Sequence, residues 1–343
     1  MQQTANKILA AFYGLAFGDA LGSTVNTVTV NEIEDMYGKH YEALNFDTEE
    51  PKFLVGDDTQ MALYTALSME AAISSSIPID EIAKHLCLWF VDPQNNRPSS
   101  QQNLRAIEKL NEGIHWTNAT NTSINSSNIL VRNLPIPFWL CSSETQKHKR
   151  WQITQEATVL THASSECITA SCLLNEAVSL LLSGHKPNEL PKMLKNSAIT
   201  MSSYWSENLG ETLWGLPGFL SPEEYLEKGF NKCLGKIAYV NSLINDNNKE
   251  HYDPCELLGE GWDAEDALAI GLYCFMLNPD NPEACVKRAA FSNGPSDTLA
   301  AIAGALSGAY NGTEGWPALW LSKIEYHDEI LELSRVAGRK AVI

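Results

Sequence analysis

The sequence predicts an all-α protein. Apolar residues recur at three- and four-residue spacing in seven separate segments, and several of these stop at residues that end helices. Period-two alternation bounded by hairpin turns is nearly absent. In chain order, Ile8, Ala11, Phe12, Leu15 and Ala16 make the first stripe, with Asp19 on its continuation. A carboxylate on an apolar stripe is either an internal hydrogen-bonding group or part of a site. Residues 25–30 read as the one short extended run. Residues 59–72 follow, with Ala62, Leu63, Ala66 and Leu67 facing inward, then 79–90 and 104–110. A long helix over 164–182 ends at Ser183-Gly184, the helix over 264–277 stops before Asn278-Pro279, and 298–310 ends at Asn311-Gly312. Gly304 and Gly308 lie four apart among Ala301, Ala305 and Ala309, a spacing that in a soluble chain lets two helices approach closely. Residues 111–133, rich in Asn, Thr and Ser, read as a polar excursion, and Asp246-Asn247-Asn248 as a further polar loop. No composition shift marks a boundary, so residues 1–343 read as one domain.

The chain has 343 residues and 44% hydrophobic content, enough for a large core. No run approaches the roughly 18 apolar residues of a membrane span. The start of the chain lacks the basic region, apolar core and small-residue cleavage site of a secretory signal. A cytoplasmic protein that works as a monomer is the expectation, with export independent of a cleaved signal left open. The formal net charge of −18 argues against a nucleic-acid partner, because the long-range field repels phosphate backbones. A compact anion held by local dipoles or a metal remains compatible with it. The eight cysteines show neither CxxC nor Cys/His zinc spacing and read as reduced core residues.

Two strings carry the chemistry: Gly56-Asp57-Asp58-Thr59-Gln60 and Ser296-Asp297-Thr298, each placing Asp-Thr at the start of a helix. Such residues cap helices by accepting hydrogen bonds from first-turn amides. Two acidic helix starts facing each other also make an oxygen-donor cage of the kind hard divalent cations prefer. The pair, together with the strings below, favours the cage.

Tyr13-Gly14-Leu15-Ala16-Phe17-Gly18-Asp19-Ala20-Leu21-Gly22 resembles the opening motif of the ADP-ribosylglycohydrolases, which include the dinitrogenase-reductase-activating glycohydrolase and the ADP-ribosylarginine hydrolases. Residues 56–60 resemble that family's first metal motif, and Asp92-Pro93 with Arg97-Pro98 resembles the loop after its third helix. Thr161-His162 resembles its central histidine motif, and Gly259-Glu260-Gly261-Trp262 its Gly-x-Gly-aromatic segment before a late helix. Asn293-Gly294-Pro295-Ser296-Asp297-Thr298 resembles the second metal motif, and residues 312–337, with Trp316-Pro317 and Trp320, the family's end. The resemblance implies an orthogonal multi-helix bundle with a central cleft between helix N-termini. It implies Mg²⁺ or Mn²⁺ held by Asp57, Asp58, Asp297 and Thr298, with Asp57 and Asp58 catalytic. The implied reaction is hydrolysis of the glycosidic bond between ADP-ribose and a modified side chain of a protein, with arginine suggested by Gly261-Trp262. His162, Gly261, Trp262, Gly294, Ser296 and Arg132 are the implied substrate-binding residues.

This chain departs from the family at functional positions. Asn26 stands where a Glu is common, Gly56 replaces a hydroxyl residue, and Pro295 replaces an Asp. The ligands that remain suffice for one ion and leave a second short of protein oxygens. Residues 127–132 keep only Arg132, with Pro135 beyond, from a phosphate-contacting loop, and Arg132 serves equally as an internal salt-bridge residue. Trp262 packs on ribose or guanidinium, or anchors the core. Glu32, Glu34 and Asp35 form a solvated charge run or supply the missing carboxylate. The alternative function is therefore a family member that binds ADP-ribose or an ADP-ribosylated protein without turnover.

Overall fold

The structure is a computed structural model that describes residues 2–141, 144–209, 219–245 and 252–340. The polar loop at 246–248 lies outside the described residues. Among the described residues the fold is all-α, with two isolated β-bridges, Phe53 to Ile324 and Asn121 to His162, and no strand. Gln2–Ser23 (α1) is followed by Val30–Tyr37 (α2), Asp57–Ser74 (α3), Pro78–Val91 (α4) and Gln101–Asn111 (α5). Two short helices, Trp116–Ala119 (α6) and Asn128–Asn133 (α7), occupy the polar stretch, and Ile136–Trp139 (α8) and Glu144–Val159 (α9) lead to the core helix Ser165–Leu182 (α10). Leu190–Met201 (α11), Pro222–Leu243 (α12), Pro254–Leu258 (α13), Ala264–Leu277 (α14), Pro282–Ala290 (α15) and Ser296–Asn311 (α16) continue the bundle. Ala318–Lys323 (α17) and His327–Lys340 (α18) close it.

Helix α10 is long and apolar enough to cross a bilayer by length and composition alone, but it is buried among α7–α9, α11, α12, α14 and α16. Its start is set by Ser164, whose hydroxyl accepts from Cys167 N at 3.2 Å. Seven of the eight cysteines are buried, all eight are free thiols, and burial pushes the thiol of Cys167 up to about 12.

The pairing that shapes the cleft is α1 against α16. They run antiparallel, with Gly14 opposite Gly304, Gly18 opposite Ala300 and Gly22 opposite Ser296. A Cβ at Gly14, Gly18, Gly304 or Gly308 would strike the backbone carbonyl of the facing helix. The small residues thus bring the C-terminal end of α1 against the N-terminus of α16. The tail seals the same end: Phe17 packs on Trp316 and Trp320, with ring centroids 5.1 and 5.5 Å away, and Phe46 stacks on Phe53 at 4.0 Å.

Two local expectations are corrected. Residues 25–30 are a turn entering a helix rather than an extended run: Val25 N donates to Gly22 O, Thr27 has φ 66°, and Thr29 forms a capping box with Glu32. Capping chemistry outweighs the β propensity of the valines and threonines. Leu67 does not face inward; it is 51% exposed, on the outer side of α3.

Candidate active site

The C-terminal end of α1 and the N-termini of α3 and α16 converge at one place. Asp19, fully buried, reaches across to cap α3: its Oδ2 accepts from Gly56 N and Thr59 N at 2.9 Å each and from Thr59 Oγ1 at 2.5 Å. Gly56 contributes no capping side chain, and a Cβ there would collide with the Asp19 carboxylate. The glycine is therefore required by a cap supplied from another helix. Burial, then the charge of Asp297, pushes the Asp19 carboxyl up to about 7 against the pull of the Thr59 hydrogen bonds.

Asp57 and Asp58 follow on the first turn of α3. Asp57 is half-buried and opens on a cavity of about 400 Å³ that Ser23, Asn26, Arg97 and Asp297 also line. Asp58 is buried, and its Oδ2 accepts from Thr298 Oγ1 at 2.7 Å. On the facing helix Asp297 Oδ1 accepts from Thr298 N at 2.8 Å, and Asp297 Oδ2 accepts from Asn26 Nδ2 at 2.5 Å. Burial pushes the Asp57 carboxyl up to about 6, with the Asp297 charge adding to it. Burial also raises Asp58, with Asp57, Asp19 and Asp297 as charged neighbours, and raises Asp297. The two helix N-termini partly offset this crowding of like charge.

Asp57, Asp58, Asp297 and Thr298 are thus brought together. Among the described residues no group of three or more His, Cys, Asp or Glu side chains is arranged to hold a metal ion. Two buried oxygens at this spot lack a donor, Asp58 Oδ1 and Asn26 Oδ1. An amide oxygen and a carboxylate oxygen are donors of the hard type that Mg²⁺ and Mn²⁺ prefer. Asn26 spends its amide on Asp297, and the Thr298 hydroxyl is turned to Asp58.

The remaining candidates lie outside that cavity's lining. Arg132 is buried, donating from Nη1 to Thr161 Oγ1 at 2.9 Å and from Nη2 to Ala157 O at 2.7 Å, and burial lowers it to about 9. His162 is buried beside it, with Nδ1 2.8 Å from Thr161 Oγ1 and Nε2 unpartnered. Burial, then the Arg132 charge, lowers its pKa to about 3, so the ring is neutral. Gly261 has φ +81° and packs against Leu299 and Pro295, and Gly294 sits under the carbonyl of Glu260. Ser296 Oγ is turned to the carbonyls of Ser292 and Gly294. Trp262 is 49% exposed, and its carbonyl accepts from Ser127 N at 2.8 Å. Glu32 is spent on capping Thr29.

Sequence reasoning missed Ser23 altogether and, although it singled out Arg97-Pro98 as part of a family-like loop, missed what Arg97 binds. Ser23, one turn beyond Asp19, lines the cavity; its spacing from Asp19 was the available signal. Arg97 clamps the approach to Asp57, donating from Nε to Val55 O at 2.9 Å and from Nη2 to both oxygens of Glu325 at 3.0 Å, while Val55 N donates to Glu325. No local pattern links positions so far apart.

A family profile described as ADP-ribosylglycohydrolase matches residues 1–342. The chain is 25% identical over 328 residues to the ADP-ribosyl-(dinitrogen reductase) glycohydrolase of Rhodospirillum rubrum, covering 93% of this chain and 90% of that one. It is 22% identical over 342 residues to an ADP-ribosylarginine hydrolase of Pseudomonas putida (strain GB-1), covering 97% and 78%. A solved chain from an ADP-ribosylglycohydrolase-related protein complex shares the fold, with a TM-score of 0.68, 19% identity, and coverage of 99% and 100%.

Proposed function

Since this chain belongs to the ADP-ribosylglycohydrolase family, hydrolases of ADP-ribosylated substrates, we propose that it binds ADP-ribose on a modified protein and hydrolyses the bond slowly or not at all. The observation that carries this reading is the hydrogen bond from the Asn26 amide to the Asp297 carboxylate. An amide there is neither a base nor an anionic ligand, and it occupies an oxygen that a cation would use. Gly56 and Pro295 remove further oxygens.

In this reading Asp57, Asp58, Asp297 and Thr298 hold one Mg²⁺ or Mn²⁺, which when bound neutralises the carboxylates and polarises the ribose hydroxyls. Asp57, open to the cavity, accepts a hydrogen bond from water and orients it toward the anomeric carbon. Trp262 offers a flat face to ribose or guanidinium. Gly261, Gly294 and Ser296 shape the wall beside it, and Arg132 with His162 holds the inner side.

A faster arginine-directed hydrolase is the second reading, favoured by the unpartnered Asp58 Oδ1. One set of measurements separates them. ADP-ribose should raise the melting temperature by mass action. Release of ADP-ribose from arginine-modified protein should be slow in Mg²⁺, absent in EDTA, and accelerated at least about tenfold by Asn26→Glu, which supplies a carboxylate. Rapid wild-type release that Asn26→Glu does not improve supports the second reading. No melting shift at millimolar ADP-ribose rejects both.

A further inference from the structure

We propose that the groove between α3 and α18 docks the protein that carries the modification, taking a basic segment with apolar side chains set between arginines or lysines. This rests on the reading above, that the substrate is an ADP-ribosylated protein. The groove encloses about 520 Å³, more than the cavity at Asp57. Its floor is apolar, built from Leu63, Tyr64 and Leu67 of α3 and Leu333 of α18. Its rim is acidic, with Asp92, Asp328, Glu329 and Glu332, and no lysine, arginine or histidine lines it.

Two of the four acids have partners. Glu332 pairs with Arg335, and Asp92 accepts from Tyr64 OH and Gln94 N. Among the described residues neither Asp328 nor Glu329 pairs with a cation, and both stand in the first turn of α18. An anionic nucleotide is repelled here. A small free cation has no use for the leucine floor. Charge and apolar area together fit a basic amphipathic segment, whose arginines meet the rim while its apolar side chains cover Leu67.

The groove also adjoins the site. One loop supplies both: Asp92 and Gln94 to the groove, Arg97 and Pro98 to the cavity. From Asp57 to Leu67 along α3 is about 15 Å. An extended chain covers that in about five residues. The docking residues should therefore lie about that far from the modified side chain.

Fluorescence anisotropy with the full chain tests this, using a short labelled peptide in which arginines flank two leucines. A counterpart with glutamate for arginine is the control. The arginine peptide should bind, more weakly as salt rises, and the glutamate peptide should not. Leu67→Ser with Glu329→Gln should weaken binding at least about tenfold. The melting shift given by ADP-ribose should be unchanged. Glu329→Gln alone, which leaves the helix face intact, should weaken binding in the same direction if the double variant folds poorly. No binding by the wild type, equal binding of the glutamate peptide, or undiminished binding by both variants overturns the proposal. Peptide binding without any ADP-ribose shift leaves the groove standing and rejects the site reading.

Discussion

Asp58 is a buried carboxylate with one hydrogen bond, an unpartnered second oxygen and three acidic neighbours. Burying charge without compensation costs stability, so this residue is held against the interest of the fold. Asp58→Asn keeps the shape and the Thr298 contact while removing the charge. It should raise the unfolding free energy in EDTA by about 1 kcal/mol, read from urea midpoints, and abolish any stabilisation by Mn²⁺. An unchanged or lower midpoint would mean that some other group already compensates the charge. Asn26, Gly56 and Pro295 were visible in the sequence as departures. The reason for Gly56 was not, because the carboxylate that excludes a side chain there belongs to Asp19, 37 residues away. Nor was the partner of Asn26, which lies 271 residues on.

Helices carry their own evidence, and that is why most were legible. The helix over 264–277 has its apolar run and acidic first turn within its own residues, and its stop, Asn278-Pro279, directly after them. Residues 25–30 misled because a two-residue capping contact, Thr29 with Glu32, decides the local structure against propensity. Pairing between helices is a different matter. Gly304 and Gly308 signal a close approach, but only the structure names Ala10 and Gly14 as what they approach. Gly304→Ala would press a methyl into the Gly14 carbonyl and should lower stability by about 3 kcal/mol. Gly235→Ala, on α12 with open space around it, should instead raise stability by up to about 1 kcal/mol. Denaturant titration of the two variants checks both signs; a mild effect at Gly304 would mean that α1 and α16 can part without loss.

Across the whole molecule, a buried polar link ties three helices. Arg150 of α9 donates to Glu176 of α10 at 2.6 Å, and Ser197 of α11 donates to the same carboxylate. Burial alone would raise the Glu176 carboxyl; the Arg150 charge and hydrogen bonds from Arg150, Trp151 and Ser197 hold it below its ordinary 4.5. A carboxyl depressed in the folded state adds stability above its unfolded value and loses it as pH falls through the folded one. Glu176→Gln should cost about 3 kcal/mol at neutral pH, since Arg150 stays buried without its carboxylate. The gap from wild type should narrow below about pH 4.5. Urea midpoints across that range measure it, and parallel curves would place the acid sensitivity elsewhere. The family's overall arrangement was legible because its motifs run in order along nearly the whole chain. The clamp between Arg97, Val55 and Glu325 was not, since hydrogen bonding between remote segments leaves no periodic trace.

That clamp has a temporal consequence. Phe53 N donates to Lys323 O and Glu325 N to Phe53 O, so the stretch entering Asp57 is positioned by residues made 270 positions later. Asp297 arrives almost as late. A ribosome adding 5–20 residues per second needs roughly 15–55 s to cover that distance. During that interval Asp19 can cap α3, but Asp57 and Asp58 lack both the facing helix and the clamp. The acidic cluster around Asp57 therefore stays incomplete in a nascent chain until residues 323–325 have been added.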